Sequence, residues 1–254
     1  MNPFRPFLCI SSVASVVCFL ATLAQATMPS PSSRDLSSLK SMMSQADLVF
    51  TGQVEDITYA LSDPSGPEGI RVPYTFVTYR VDKVFMGEAP GGSVTLRFIG
   101  GLDPRKGLYL ATTNTPQFDV GDQDILFVQN NTKTICPLVN KVDGRLRIIG
   151  DRVYSEEGRS VLAIEKGLLR YGPRYKLPEV ESTNVNGKVY TTLKSGPSAL
   201  ESPSEAMEAA DMLDAIRTLA ADSVPNQAFV NADPKAPFAE PDMSPVPMPD
   251  EKTD

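Results

Sequence analysis

Asp119, Asp122 and Asp124 flank Gly121, three carboxylates on one short turn. Oxygen ligands of that type at that density are what a hard cation such as calcium takes. Their spacing is not that of a helix-loop-helix calcium loop, so the plainer expectation is a solvated turn, with Asp119, Asp122 and Asp124 as the candidate metal residues. Two other charged groupings come from strand-like runs: Asp82 with Lys83, and Arg145 with Arg147. Arg145 and Arg147 share one parity opposite Leu146 and Ile148, which predicts a wet outer strand face for them. Asn130-Asn131-Thr132 fits a glycosylation sequon and predicts an exposed loop.

Catalysis has little to draw on. The chain has no histidine, which removes Ser-His-Asp and Cys-His nucleophile systems, histidine zinc sites and imidazole acid–base work. Gly91-Gly92 and Gly100-Gly101 lack the spacing and the following helix of a phosphate loop. No catalytic residue and no cofactor is expected.

The cysteines read through the N-terminus. Arg5, an apolar run from Phe7 to Leu23 and the small-x-small site Ala24-Gln25-Ala26 have the layout of a secretory signal peptide over residues 1–26. The alternative, a membrane anchor, would have to span the bilayer with a short run that includes Ser11, Ser12 and Ser15. A periplasmic or extracellular location follows, with no stable membrane insertion after cleavage. Cys9 and Cys18 leave with the signal, so Cys136 has no disulfide partner and is expected to be a buried small apolar residue.

Charge is also divided along the chain. Residues 27–202 carry 20 acidic and 20 basic side chains, whereas residues 203–254 carry 11 acidic and 3 basic. A neutral body offers no field for nucleic acid.

The elements that would position these groups are mostly strands. Val77, Tyr79 and Val81 alternate with Thr78, Arg80 and Asp82; Val94, Leu96 and Phe98 alternate with Ser93, Thr95 and Arg97. With turn formers between Met86 and Gly92, this predicts a central antiparallel hairpin with one face buried and one wet. Leu36, Leu39, Met42 and Met43 predict a short helix before it. Ala46 to Val54 reads as a first strand with Gly52 at a bend. Ile125 to Val128 reads as a buried strand, with further strands at 145–149, 152–154 and 161–164. Asn186-Gly187 predicts a second hairpin over 183–190.

Ser202-Pro203-Ser204-Glu205 reads as a helix start, followed by a stripe of Ala206, Ala209, Leu213, Ile216 and Ala220. Small residues along that stripe predict a peripheral helix. Residues 223–254 hold seven prolines and few large apolar groups, the composition of a disordered tail. The layout is therefore a signal at 1–26, a barrel core at 34–154, a hairpin and helix at 155–222, and an acidic Pro-rich tail at 223–254.

In the order of these elements, with Ala46-Asp47-Leu48-Val49-Phe50-Thr51-Gly52-Gln53-Val54, Gly100-Gly101 and Phe118-Asp119-Val120-Gly121-Asp122-Gln123-Asp124-Ile125-Leu126-Phe127, the chain resembles a family of uncharacterised exported bacterial proteins. The likeness spans Leu36 to Ile149. That family is similar in strand layout to the netrin-like OB barrels, which include the tissue inhibitors of metalloproteinases. The resemblance implies a mainly β fold built on an antiparallel OB-like β-barrel, and a non-catalytic role. Those inhibitors chelate zinc through an N-terminal cysteine; here the expected mature start is Thr27-Met28-Pro29, so that residue has no counterpart.

The expected function is an exported, non-catalytic binding or interaction module that engages an extracytoplasmic protein or glycan, with inhibition of a metalloprotease as its specific version. The alternative is a hydrolase without histidine that uses Ser/Lys or carboxylates. A nucleic-acid-binding barrel is the third and least favoured reading.

Overall fold

The computed structural model describes residues 36–239, apart from 66, 114, 175–180, 186–187 and 193–205. The expected signal peptide at 1–26 and the expected helix start at 202–205 lie outside them.

The elements run β1 (Leu36–Ser38), α1 (Leu39–Gln45), β2 (Leu48–Leu61), β3 (Pro73–Met86), β4 (Ser93–Ile99), β5 (Gly101–Asp103), β6 (Leu108–Leu110), β7 (Gln123–Val128), β8 (Arg145–Ile149), β9 (Arg152–Ser155), β10 (Arg159–Glu165), β11 (Leu168–Arg174), β12 (Glu181–Val185), β13 (Lys188–Thr192) and α2 (Ala209–Ala220). The fold is mainly β and antiparallel. Nine strands form one sheet in the order β1-β11-β10-β9-β8-β7-β2-β3-β4, and β5-β6 and β12-β13 are separate two-stranded ribbons. Among the described residues no pairing joins the edges β1 and β4, and no closed barrel is found. The sheet also runs on past residue 155 without a break, through β10 and β11 back to β1 beside the first helix.

Two core layers explain the hydrophobic pattern. Met42, Met43, Val49, Ile125, Phe127, Leu146, Val153, Met212 and Ile216 pack on one side of the sheet, under both helices. Leu48, Phe50, Val77, Tyr79, Leu96, Phe98, Leu126, Val128 and Leu138 pack on the other. Strands β2 and β7 therefore bury both faces, which is why Ile125 to Val128 shows no alternation. Cys136 belongs to the second layer and is buried.

The central hairpin has the expected register, with Val77 opposite Leu96 and Tyr79 opposite Val94. Gly52 sits at a register shift between β2 and β3. A Cβ there would lie 2.4 Å from the Arg80 carbonyl oxygen, so only glycine admits this backbone approach.

Helix α1 is capped by Ser38, whose hydroxyl accepts from the Ser41 N–H at 3.1 Å. Helix α2 departs from the sequence pattern. It begins at Ala209 with Glu208 as its N-cap, and its most buried residues are Met212 and Ile216. Met212, outside the predicted stripe, and Ile216, within it, dock the helix on the first core layer.

The tail corrects a second expectation. Residues 223–239 lie as an extended strap along the sheet. Asn226 N–H donates to the Ala46 carbonyl (2.9 Å), Ala232 N–H to the Thr95 carbonyl (3.1 Å), and the Asp63 N–H to the Phe238 carbonyl (2.8 Å). Residues 240–254, the rest of the expected disordered tail, lie outside the described residues. The strap also explains why the outer face of β4 is not wet: Thr95 and Arg97 are buried beneath it.

Candidate functional site

Arg145 and two of the three turn aspartates meet in one cluster. The Arg145 side chain is fully buried, against the wet-face expectation. Its Nη2 lies 2.7 Å from Asp122 Oδ2 and 2.9 Å from Asp124 Oδ2, and its Nη1 lies 2.8 Å from Glu156 Oε2. Nη1 also donates to the Gln117 carbonyl at 2.5 Å. Arg147 Nη2 reaches Asp122 Oδ1 at 3.1 Å. The Tyr79 hydroxyl donates to Asp124 Oδ2 at 2.8 Å, and the Phe118 ring lies over the guanidinium at 4.3 Å.

The fold dictates this convergence. Leu126 pairs with Arg145 across β7 and β8, so Arg145 takes the parity of the second core layer and not that of the solvent. The tight turn at Gly121, with a φ of 97°, folds Asp122 back toward it. Asp119 stays exposed; its N–H donates to Asp122 Oδ2 at 3.1 Å.

Electrostatics follow from burial and pairing. Burial alone would lower Arg145, but Asp124 and Glu156 outweigh it and hold the guanidinium charged, well above its ordinary range. Burial pushes the Asp124 and Glu156 carboxyls up, with Arg145 opposing it. Burial acts in the same sense on Asp122, yet Arg145 and Arg147 prevail and hold that carboxyl below its usual value. Burial, with Asp124 beside it, pushes the Tyr79 phenol well up, so it remains a donor.

This arrangement ties together β3, β7, β8, the 117–122 loop and the turn after β9. Asp122 and Asp124 are engaged by guanidinium groups, and among the described residues no set of three His, Cys, Asp or Glu is placed to hold a metal ion.

Phe118 is also the wall between this cluster and the surface. It stacks on Phe98 at 4.8 Å between ring centroids, and both rings line a shallow cleft with room for about 50 Å³. Tyr59, Tyr109, Leu110 and Thr112 form its rim. The hydroxyls in the cleft are bonded inward: Thr75 to the Gly100 carbonyl at 2.9 Å and Thr112 to Thr115 at 2.7 Å. Outside the rim, three consecutive residues of β6, Leu108, Tyr109 and Leu110, are 64%, 56% and 41% exposed. The Tyr59 ring meets Tyr109 edge-on at 6.4 Å. Gly100 and Gly101 set the spacing here: their φ values are 94° and 120°, and a Cβ on Gly101 would lie 2.4 Å from the Thr75 hydroxyl.

The sequon is not a free loop. The Asn130 Oδ1 accepts from Gln227 Nε2 at 2.6 Å, and Asn131 is buried. Asp82 and Lys83 are exposed, as a solvated strand face requires.

Sequence alternation gives no sign of the β6 patch, because Leu108-Tyr109-Leu110 reads equally well as a strand buried on both sides. Glu156 and Phe118 carry no signal either; both meet Arg145, for which alternation predicts the opposite face.

Comparison with protein-family models, curated proteins and solved structures finds no match. Among the described residues no helix is long and apolar enough to cross a membrane.

Proposed function

We propose that this chain is an exported, non-catalytic interaction module that engages an extracytoplasmic protein through the β5–β6 ribbon. One observation carries the reading: Leu108, Tyr109 and Leu110 stand exposed in a row, next to Tyr59, on a strand whose partner is β5. Contiguous exposed apolar side chains beside a polar rim are the mark of a protein contact surface. Tyrosines supply area at low entropic cost, and the outer edge of β6 offers backbone groups to a partner strand.

The OB-like barrel belongs to this proposal as a relation of layout. β2 pairs with both β3 and β7, and β3 with β4, the connections around which such a barrel is wound. Metalloprotease inhibition is the narrower version and draws on that layout alone. The zinc-chelating cysteine of the tissue inhibitors has no counterpart, since Cys136 is buried in the second core layer.

A photo-crosslinking amino acid at position 109, in the full chain expressed with its export signal, tests the reading. Light-dependent adducts with one or a few extracytoplasmic proteins are expected, and should disappear on Leu108→Ser/Leu110→Ser. The same probe at Val120, equally exposed but outside the patch, should give none. Adducts of equal yield at both positions, or none at 109, would refute the assignment.

A further inference from the structure

The strap is held on the sheet in the way a peptide is held by a receptor. One of its backbone contacts falls on the outer edge of β4, the last strand of the sheet, where further along the Ile99 N–H donates to the Ile135 carbonyl at 2.8 Å. Ala232 N–H donates to the Thr95 carbonyl at 3.1 Å, and the Asn231 side chain accepts from the Thr95 N–H at 2.6 Å. On the body's side Asn131 completes the edge: its Oδ1 accepts from the Arg97 N–H, and its Nδ2 donates to the Thr95 and Val230 carbonyls at 2.9 and 2.8 Å. Side-chain amides from the body and the strap therefore satisfy the edge together, in place of a tenth strand.

The other end of the strap is an aromatic anchor. The Phe238 ring lies edge-on to Tyr74 at 5.2 Å and to Phe76 at 5.5 Å between centroids. The Arg97 guanidinium stands 4.8 Å from the Phe238 ring and 5.3 Å from the Tyr74 ring. Arg97 is 4% exposed, its Nε has no hydrogen-bond partner among the described residues, and burial lowers its pKa. Its Nη2 donates to the Thr132 carbonyl, and a cation between aromatic rings is a usual way to recognise an aromatic side chain.

The start of the strap fits less closely. An opening of about 480 Å³ remains between Pro225–Phe229 and the Gly87–Pro90 turn, and Val224 is 79% exposed. The strap is tied there by the Asn226 N–H to the Ala46 carbonyl and by Gln227 Nε2 to Asp47 Oδ2 and Asn130 Oδ1, and Phe229 packs against the second core layer.

From these contacts we infer that the outer face and edge of β3–β4 form a peptide-binding groove, occupied in cis by residues 226–239. Its exchange partner is an extended segment of another protein with the same chemistry: an asparagine to cap the β4 edge and, seven residues further on, a phenylalanine for the Tyr74–Phe76–Arg97 pocket. This groove involves other residues than the β6 patch, and the inference stands or falls apart from the proposed function.

A protease site at positions 223–224 of the full chain makes the test. After cutting, the nicked protein is passed over a sizing column, followed by circular dichroism, and titrated with a fluorescently labelled synthetic peptide of residues 226–239. The cut strap should co-elute with the body, and the labelled peptide should exchange into the groove. Peptides carrying Phe238→Ala or Asn231→Ala should bind at least about tenfold more weakly. Three results would overturn the inference. If the nicked chain unfolds, or retains its strap without exchange, the strap is a fixed part of the core. If the altered peptides bind as well as the original, the contact is unspecific. If the uncut chain dimerises with concentration and the peptide reverses it, the groove serves a second copy of the chain.

Discussion

Replacing Arg145 by methionine removes a cation that touches three carboxylates while keeping most of the side-chain volume. The substitution deletes the ion pairs to Asp122 at 2.7 Å, Asp124 at 2.9 Å and Glu156 at 2.8 Å. Asp124 is fully buried, so its charge cannot be handed to water. Removing one partner of a buried ion pair costs about 3–5 kcal/mol, about a fifth or more of the stability of an ordinary domain. At roughly 2–4 °C per kcal/mol for a chain of this size, the melting temperature should fall by about 6–20 °C at neutral pH.

The loss should depend on pH in a definite sense. Burial already raises the Asp124 and Glu156 carboxyls, and without Arg145 their folded values rise further above the unfolded ones. A group raised on folding favours the folded state fully below its unfolded pKa, and that contribution is lost as pH rises through the folded value. The variant should therefore approach the wild type as pH falls toward the unfolded carboxyl range, and separate from it as pH rises. Asp122 acts in the opposite sense in the wild type: its lowered carboxyl contributes stability above the unfolded value, lost at more acid pH. Denaturant melts of both proteins across that range measure the gap directly. A gap below about 1 kcal/mol at neutral pH, the scale of a surface pair, or one that does not narrow on acidification, would show that Arg145 does not neutralise the buried acids.

Two further outcomes can be checked simply. Cys136, whose thiol burial pushes up to about 11, should resist thiol-specific labelling in the native protein at pH 8 and react at once in denaturant; rapid native labelling would place it outside the second core layer. Gly52→Ala should cost about 1–3 kcal/mol, the usual penalty for forcing atoms into a packed site, because its new methyl group meets the Arg80 carbonyl oxygen; an unchanged melting temperature would mean that β2 and β3 can part there freely.

The sequence by itself determined what local periodicity can express. Val77, Tyr79, Leu96 and Phe98 alternate, so the central hairpin and its buried face were legible, as were the short first helix and the place of Cys136 in an apolar run. The absence of histidine removes whole classes of chemistry by composition alone. Arg145 and Leu146 alternate just as well, but alternation tells which residues share a face and not what lies over that face. Only the tertiary structure places Asp122, Asp124 and Glu156 around Arg145, because those carboxylates arrive from a turn and a strand distant in the chain, and a buried charge is tolerable only where such partners converge. The same limit hides the strap. Seven prolines and few apolar residues read as a segment unable to bury its own surface, and that remains true of the segment alone. It is the body that supplies the missing surface, through the Thr95 edge and the rings of Tyr74 and Phe76, and a composition cannot report a groove built from other parts of the chain.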